Sequence, residues 1–175
     1  GSVASAITAV SVQQSDVSPR PDHFAADFAV DFLEPCAEPE TIGRLDDIEV
    51  LDVIGCGGMG VVLKGFQRDL GRHVAVKVMA PHLATSGSAR QRFAREARAA
   101  AAVVHPHVMA IHSVNTAGRL PYLIMPYVAC ESLQQRIDRL GSLELTEILR
   151  IGRQVALGLA AAHQQVQLGA GVQGP

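Results

Sequence analysis

The run Gly55-Cys56-Gly57-Gly58-Met59-Gly60-Val61-Val62 constrains this chain more than any other feature. Its glycines permit positive φ and let the backbone approach another group closely, where a side chain would intrude. The element after the run separates the folds that use such glycines. A dinucleotide-binding βαβ unit needs a helix straight after them. Here the β-branched Val61-Val62-Leu63-Lys64 reads as a strand. The phosphate-loop pattern G-x-x-x-x-G-K-S/T is absent. Ile48-Glu49-Val50-Leu51-Asp52-Val53-Ile54 reads as a strand ended by Gly55. The run is therefore a glycine turn inside a β-hairpin, a device whose backbone is able to lie over phosphates.

Downstream, Asp69-Leu70-Gly71 is a turn and His73-Val74-Ala75-Val76-Lys77-Val78 a third strand. Pro81 and Gly87 bracket a loop. Ser88 is placed to cap a helix reaching about Val103, with Phe93, Ala97, Ala100 and Val104 along one face. His105-Pro106 stops it. Two more strands, Met109–Val114 and Tyr122–Met125, are separated by Ala117-Gly118, and two helical patterns come next, Ser132–Leu140 and Leu145–Gln164. Strands, one helix, strands, then helices predict an α+β fold around a five-stranded antiparallel sheet. Residues 1–44 are rich in Ala, Ser, Val, Pro and Asp without a sustained period, so the expectation there is a disordered leader. A transient amphipathic turn near His23–Leu33 is suggested by Phe24, Phe28 and Phe32.

Lys77 ends the segment Val74-Ala75-Val76-Lys77. Alone it is either a solvated lysine at a strand end or a point charge for a phosphate. Together with the glycine hairpin, the segment resembles the pattern of protein kinases, whose third strand ends V-A-I/V-K. Arg90-Gln91-Arg92-Phe93-Ala94-Arg95-Glu96-Ala97 resembles the kinase C-helix. His105-Pro106-His107-Val108 resembles its H-P-N-I/V turn, with His107 in place of Asn. Tyr122-Leu123-Ile124-Met125-Pro126-Tyr127-Val128 resembles the fifth strand and hinge, with Pro126 in place of Glu. Ala129-Cys130-Glu131-Ser132-Leu133 resembles the G-G-S-L entry to the next helix, with Cys130 and Glu131 replacing glycines. The bacterial serine/threonine kinases are similar in Gly-Gly-Met-Gly-Val-Val, Arg-Phe-Ala-Arg-Glu-Ala and Gly-Leu-Ala-Ala-Ala-His. The resemblance covers about Leu45 to Gln165.

That resemblance implies a kinase N-lobe and hinge over residues 45–129, with one C-helix on the sheet. The start of a C-lobe would occupy 130–165, and a tail outside the family pattern 166–175. It implies ATP with Mg2+ as cofactors. Gly55, Cys56, Gly57, Gly58, Met59 and Gly60 would cover the phosphates, and Lys77 would meet the α- and β-phosphates. Glu96 would be the counter-charge of Lys77, although on its own helix it can equally pair with Arg92. Ile54 and Val62 would lie over adenine, Ala75 would leave room for it and Met125 would back the pocket. The Pro126 carbonyl and Val128 N–H would bond its edge, with Ser132 near the ribose. Proline lacks an N–H but keeps that carbonyl.

The family's H-R-D-x-K-x-x-N and D-F-G motifs do not occur in these residues. They would supply the base and the metal ligands. The expectation is therefore the ATP-binding portion of a serine/threonine kinase, without catalytic competence alone. The alternative is a non-catalytic interaction module derived from such a lobe. Ile148, Ile151, Val155 and Leu159 form a stripe in 145–164 with no evident partner, which suggests self-association.

Composition removes other classes. A net charge of −2 gives no global attraction to nucleic acid, and Trp is absent. Cys36, Cys56 and Cys130 form no C-x-x-C pair, which argues against a disulfide framework or zinc site. His105 and His107 lack further ligands at a suitable spacing, so no metal is expected. No basic residue precedes Arg20 and no apolar run is long enough to span a bilayer, so a cytoplasmic location is expected. Cys56, on the glycine loop, is expected to be the most reactive thiol.

Overall fold

Alternation along three long strands sorts their side chains to two faces of one sheet. The computed structural model describes residues 30–170. Most of the turn expected near His23–Leu33 lies outside them. The strands are β1 (Gly43–Leu45), β2 (Ile48–Gly57), β3 (Gly60–Gln67), β4 (Arg72–Met79), β5 (Ser113–Asn115) and β6 (Tyr122–Pro126). All neighbours are antiparallel, in the order β1-β2-β3-β4-β6-β5. One face carries the core: Ile48, Val50, Val61, Leu63, Val74, Val76, Val78, Tyr122 and Ile124 are buried. Burying each of the larger aliphatic side chains contributes about 1.5–3 kcal/mol.

The sheet has six strands rather than the expected five. The sixth, β1, belongs to a segment expected to be disordered. Residues 30–44, assigned by composition to the leader, fold onto the sheet instead. The Glu34 and Arg44 backbones exchange two hydrogen bonds of 2.8 Å, and their side chains pair at 3.1 Å. Val30, Phe32, Leu33 and Leu45 pack against the core. Without a period this segment carries no strand signal of its own; apolar burial and pairing hold it.

The helices are α1 (Pro81–Ala84), α2 (Gly87–Ala101), α3 (Leu133–Leu140) and α4 (Leu145–Ala170). The cap of α2 is Ser86, two residues before the expected Ser88; its hydroxyl accepts the Ala89 N–H at 3.4 Å. The helix ends at Ala101, so Val104 does not continue its apolar face and is 95% exposed, while Val103 is buried. β5 begins at Ser113 rather than Met109, because the chain from His105 first makes a turn. Ser132 caps α3 through a capping box: Gln135 N–H donates to its Oγ at 3.2 Å, and its own N–H donates to Gln135 Oε1 at 2.7 Å. α4 runs past Gln165 to Ala170, so the first residues of the expected tail extend a helix. Its stripe is open, with Ile148, Val155 and Leu159 exposed.

Candidate functional site

The glycine run is more strand than loop. β2 continues through Gly57 and β3 resumes at Gly60, leaving Gly58 and Met59 as the turn. Gly55 thus lies inside the strand it was expected to end. Gly60 has φ +144°, and a Cβ there would lie 1.9 Å from the Val78 carbonyl oxygen. Only glycine allows the hairpin base to sit this close to β4. The Ala80 N–H donates to the Met59 carbonyl at 3.1 Å and holds the turn to the residue that follows β4.

Register then brings the predicted residues together. Gly55 faces Val62, Val62 faces Lys77 and Lys77 faces Leu123, in one row across four strands. The next row is Asp52, Lys64, Ala75 and Met125. Directly opposed residues share a face of the sheet. Val62, Ala75, Lys77 and Met125 are therefore neighbours on the face opposite the core. Ala75 is buried and the other three half-buried; Ile54 and Val128, toward the edges, are exposed. Among the described residues no backbone acceptor is bonded to the Val128 N–H. The Lys64 ammonium lies 4.9 Å from the centre of the Tyr127 ring, a cation–π contact.

Two predicted residues stand otherwise. Glu96 is exposed and its carboxylate lies 3.6 Å from Arg92 Nε, so the pairing within the helix is the one observed. Lys77 and Glu96 form no ion pair. Residues four apart on a helix meet within the helix itself, whereas contact with Lys77 depends on where α2 lies on the sheet. Ser132 is exposed and its oxygen is engaged as the α3 cap.

Several contacts had no signal in the sequence. A 360 Å³ cavity lies further along the face that bears Lys77, between Glu38-Pro39-Glu40-Thr41 and the side chains of Glu49, Leu51, Phe66 and His73. It shares no residue with the predicted site. Hydrogen bonds from the Thr41 side chain and the Glu38 backbone hold the Cys36 thiol below its ordinary pKa. Cys56, singled out by sequence reasoning, is half-buried like Cys36, while Cys130 is exposed. Arg90, at the start of α2, bonds four backbone carbonyls. Acceptors common to every residue leave no pattern to read.

Residues 48–168 match the model of the protein kinase domain, and the chain belongs to that family. Its relatives make it part of a bacterial-type serine/threonine kinase domain, by family a transferase. It is 41% identical over 116 residues to the serine/threonine-protein kinase PknK of Mycobacterium tuberculosis, covering 65% of this chain and 10% of that protein. Identity to the kinase pkn2 of Myxococcus xanthus is 40% over 127 residues, covering 73% and 15%. For PrkC of Bacillus subtilis it is 34% over 116 residues, covering 66% and 18%. The crystal structure of the M. tuberculosis PknI kinase domain superposes with a TM-score of 0.60 at 30% identity, covering 74% of this chain and 52% of that one. The chain thus spans about half of a solved kinase domain and less than a fifth of these relatives. No helix among the described residues is long and apolar enough to cross a membrane.

Proposed function

We propose that these residues form the nucleotide-holding part of a serine/threonine protein kinase. They bind ATP through the glycine hairpin and Lys77, with adenine against Val62, Ala75 and Met125. The observation that carries this is the register: Gly55, Val62 and Lys77 stand in one row, with Ala75 and Met125 beside it. Val62 and Ala75 offer an apolar surface, and Lys77 offers a cation at one end of it. The Val128 N–H, bonded to no backbone acceptor, lies at the other end of the hinge as a donor for the adenine edge. Ile54 lies with Val62 over adenine and Met59 belongs to the glycine turn over the phosphates, Pro126 supplies its carbonyl, and Ser132 keeps a hydroxyl proton to give to a ribose oxygen.

Phosphoryl transfer requires more than this. The nucleophile must be positioned, and metal ions must neutralise the developing charge. The aspartates and asparagine that do this in protein kinases are not among the 175 residues. Magnesium would arrive with the nucleotide. Taken alone, then, these residues bind Mg-ATP and transfer no phosphate; within a complete kinase domain they serve transfer from ATP to protein Ser or Thr. Calorimetric titration with Mg-ATP tests the binding, with Lys77→Met expected to weaken it about tenfold or more, given what charge-assisted bonds to phosphate contribute. Equal affinity in both proteins would remove Lys77 from the site. Radiolabelled ATP and a generic protein substrate test transfer: Lys77-dependent incorporation by these residues alone would contradict the second half of the proposal.

A further inference from the structure

We propose that Arg90 is a positioning residue for the Lys77–Glu96 pair: its guanidinium fixes one end of α2 to the hairpin that carries the hinge. This rests on the reading of Lys77 as the phosphate-holding cation and Glu96 as its counter-charge.

Arg90 donates through Nη1 to the carbonyls of Arg119 at 2.9 Å and Ala84 at 3.4 Å, and through Nη2 to those of Thr116 at 2.9 Å and Gly118 at 2.8 Å. Among the described residues no carboxylate is its partner. Three of the four acceptors belong to the β5–β6 turn, and the strand that leaves this turn is β6. β6 places Leu123 opposite Lys77 and Met125 opposite Ala75. One side chain thus links the helix that bears Glu96 to the strand lying beside Lys77. The Ser86 cap is one turn away and holds the same end of the helix.

Further along, α2 also buries Ala97 and touches β5 and α4. Glu96 lies six residues on from Arg90, about 9 Å along the axis, with its side chain 64% exposed and paired only with its helical neighbour Arg92. Such an exposed pair contributes little. Glu96 can exchange it for Lys77, and the anchored position of α2 decides which partner it reaches. The planar guanidinium directs several N–H groups at divergent acceptors, a geometry that a lysine ammonium does not reproduce.

The test couples Lys77 to Glu96 with a water-soluble carbodiimide in the 175-residue chain and counts the linked peptide by mass spectrometry. This needs no nucleotide. Wild type, Arg90→Ala, Arg90→Lys and the control Arg98→Ala are compared below the melting temperature of the least stable. Arg90→Lys keeps the charge and serves if Arg90→Ala does not fold. A drop in Lys77–Glu96 coupling of about fivefold or more in the folded Arg90 variants is expected from a loss of coupling between elements, with Arg98→Ala near wild type. Equal yields in wild type and the Arg90 variants, or a wild type in which Lys77 never couples to Glu96, overturn the proposal. ATP affinity indifferent to Lys77→Met would instead overturn the nucleotide reading, so the two failures are distinct.

Discussion

Tyr122 joins residues from distant parts of the sequence. Its hydroxyl donates to the Asp46 carboxylate and accepts from Asn115 Nδ2 at 3.0 Å. Burial, and then the hydrogen bond to Asp46, push its pKa up to about 12. Its folded value thus stands above the ordinary 10, and the folded state keeps the proton longer than the unfolded chain. The stability this contributes is complete below pH 10 and is lost as pH rises toward 12. Urea midpoints measured from pH 9 to 12 should fall across that window, and less steeply in Tyr122→Phe. Identical slopes would show that Tyr122 titrates as it does unfolded. Cys36 offers a second residue-level check. The Thr41 hydroxyl has one proton and two takers, the Glu38 carbonyl at 2.9 Å and the Cys36 sulfur. Giving it to the thiolate favours ionisation. The alkylation rate of Cys36 should therefore rise at lower pH than that of an ordinary thiol, and Thr41→Val should move the curve up. A curve unmoved by Thr41→Val would contradict this.

At the scale of elements, two glycines of α4 separate packing from propensity. A Cβ at Gly158 would lie 2.8 Å from the His107 carbonyl oxygen and 3.3 Å from Val108 Cγ2, whereas one at Gly152 would meet nothing within 4 Å. Alanine favours a helix over glycine by about 1 kcal/mol, and overpacking costs about 1–3 kcal/mol. Gly152→Ala should therefore raise the melting temperature and Gly158→Ala lower it, by driving α4 off the 105–108 turn. Two shifts of the same sign would mean that α4 does not rest on that turn. These elements are unequally legible. β2, β3 and β4 are long runs rich in β-branched residues and bounded by glycine turns, so the sequence alone locates them. β1 has three residues, Gly43-Arg44-Leu45, and is a strand only because Val50, Glu49 and Ile48 lie opposite. The start of α2 is ambiguous in the sequence because Ser86 and Ser88 both suit a cap; their hydroxyls lie 3.0 Å apart and Ser86 takes the Ala89 N–H.

For the molecule as a whole, the candidate site is legible as far as it is built from strands in register. Lys77, Ala75, Val62 and Met125 share a face because the order of strands and turns dictates it. The state of Glu96 is not legible, since Arg92 and Lys77 are both chemically suitable partners and only the position of α2 decides between them. Nor is the cavity under Glu38–Thr41, whose roof is the segment that shows no period. That cavity provides an internal control, because it lies on the same face as the proposed site and shares none of its residues. The most direct test is a map of backbone amide shifts on titrating Mg-ATP into the 175-residue chain. The proposed function predicts that the largest changes fall on Ile54–Val62, Ala75–Lys77 and Met125–Val128, leave Glu38, Glu40, Thr41 and His73 in place, and disappear in Lys77→Met. Changes centred on the cavity, or a pattern that persists in Lys77→Met, would contradict it.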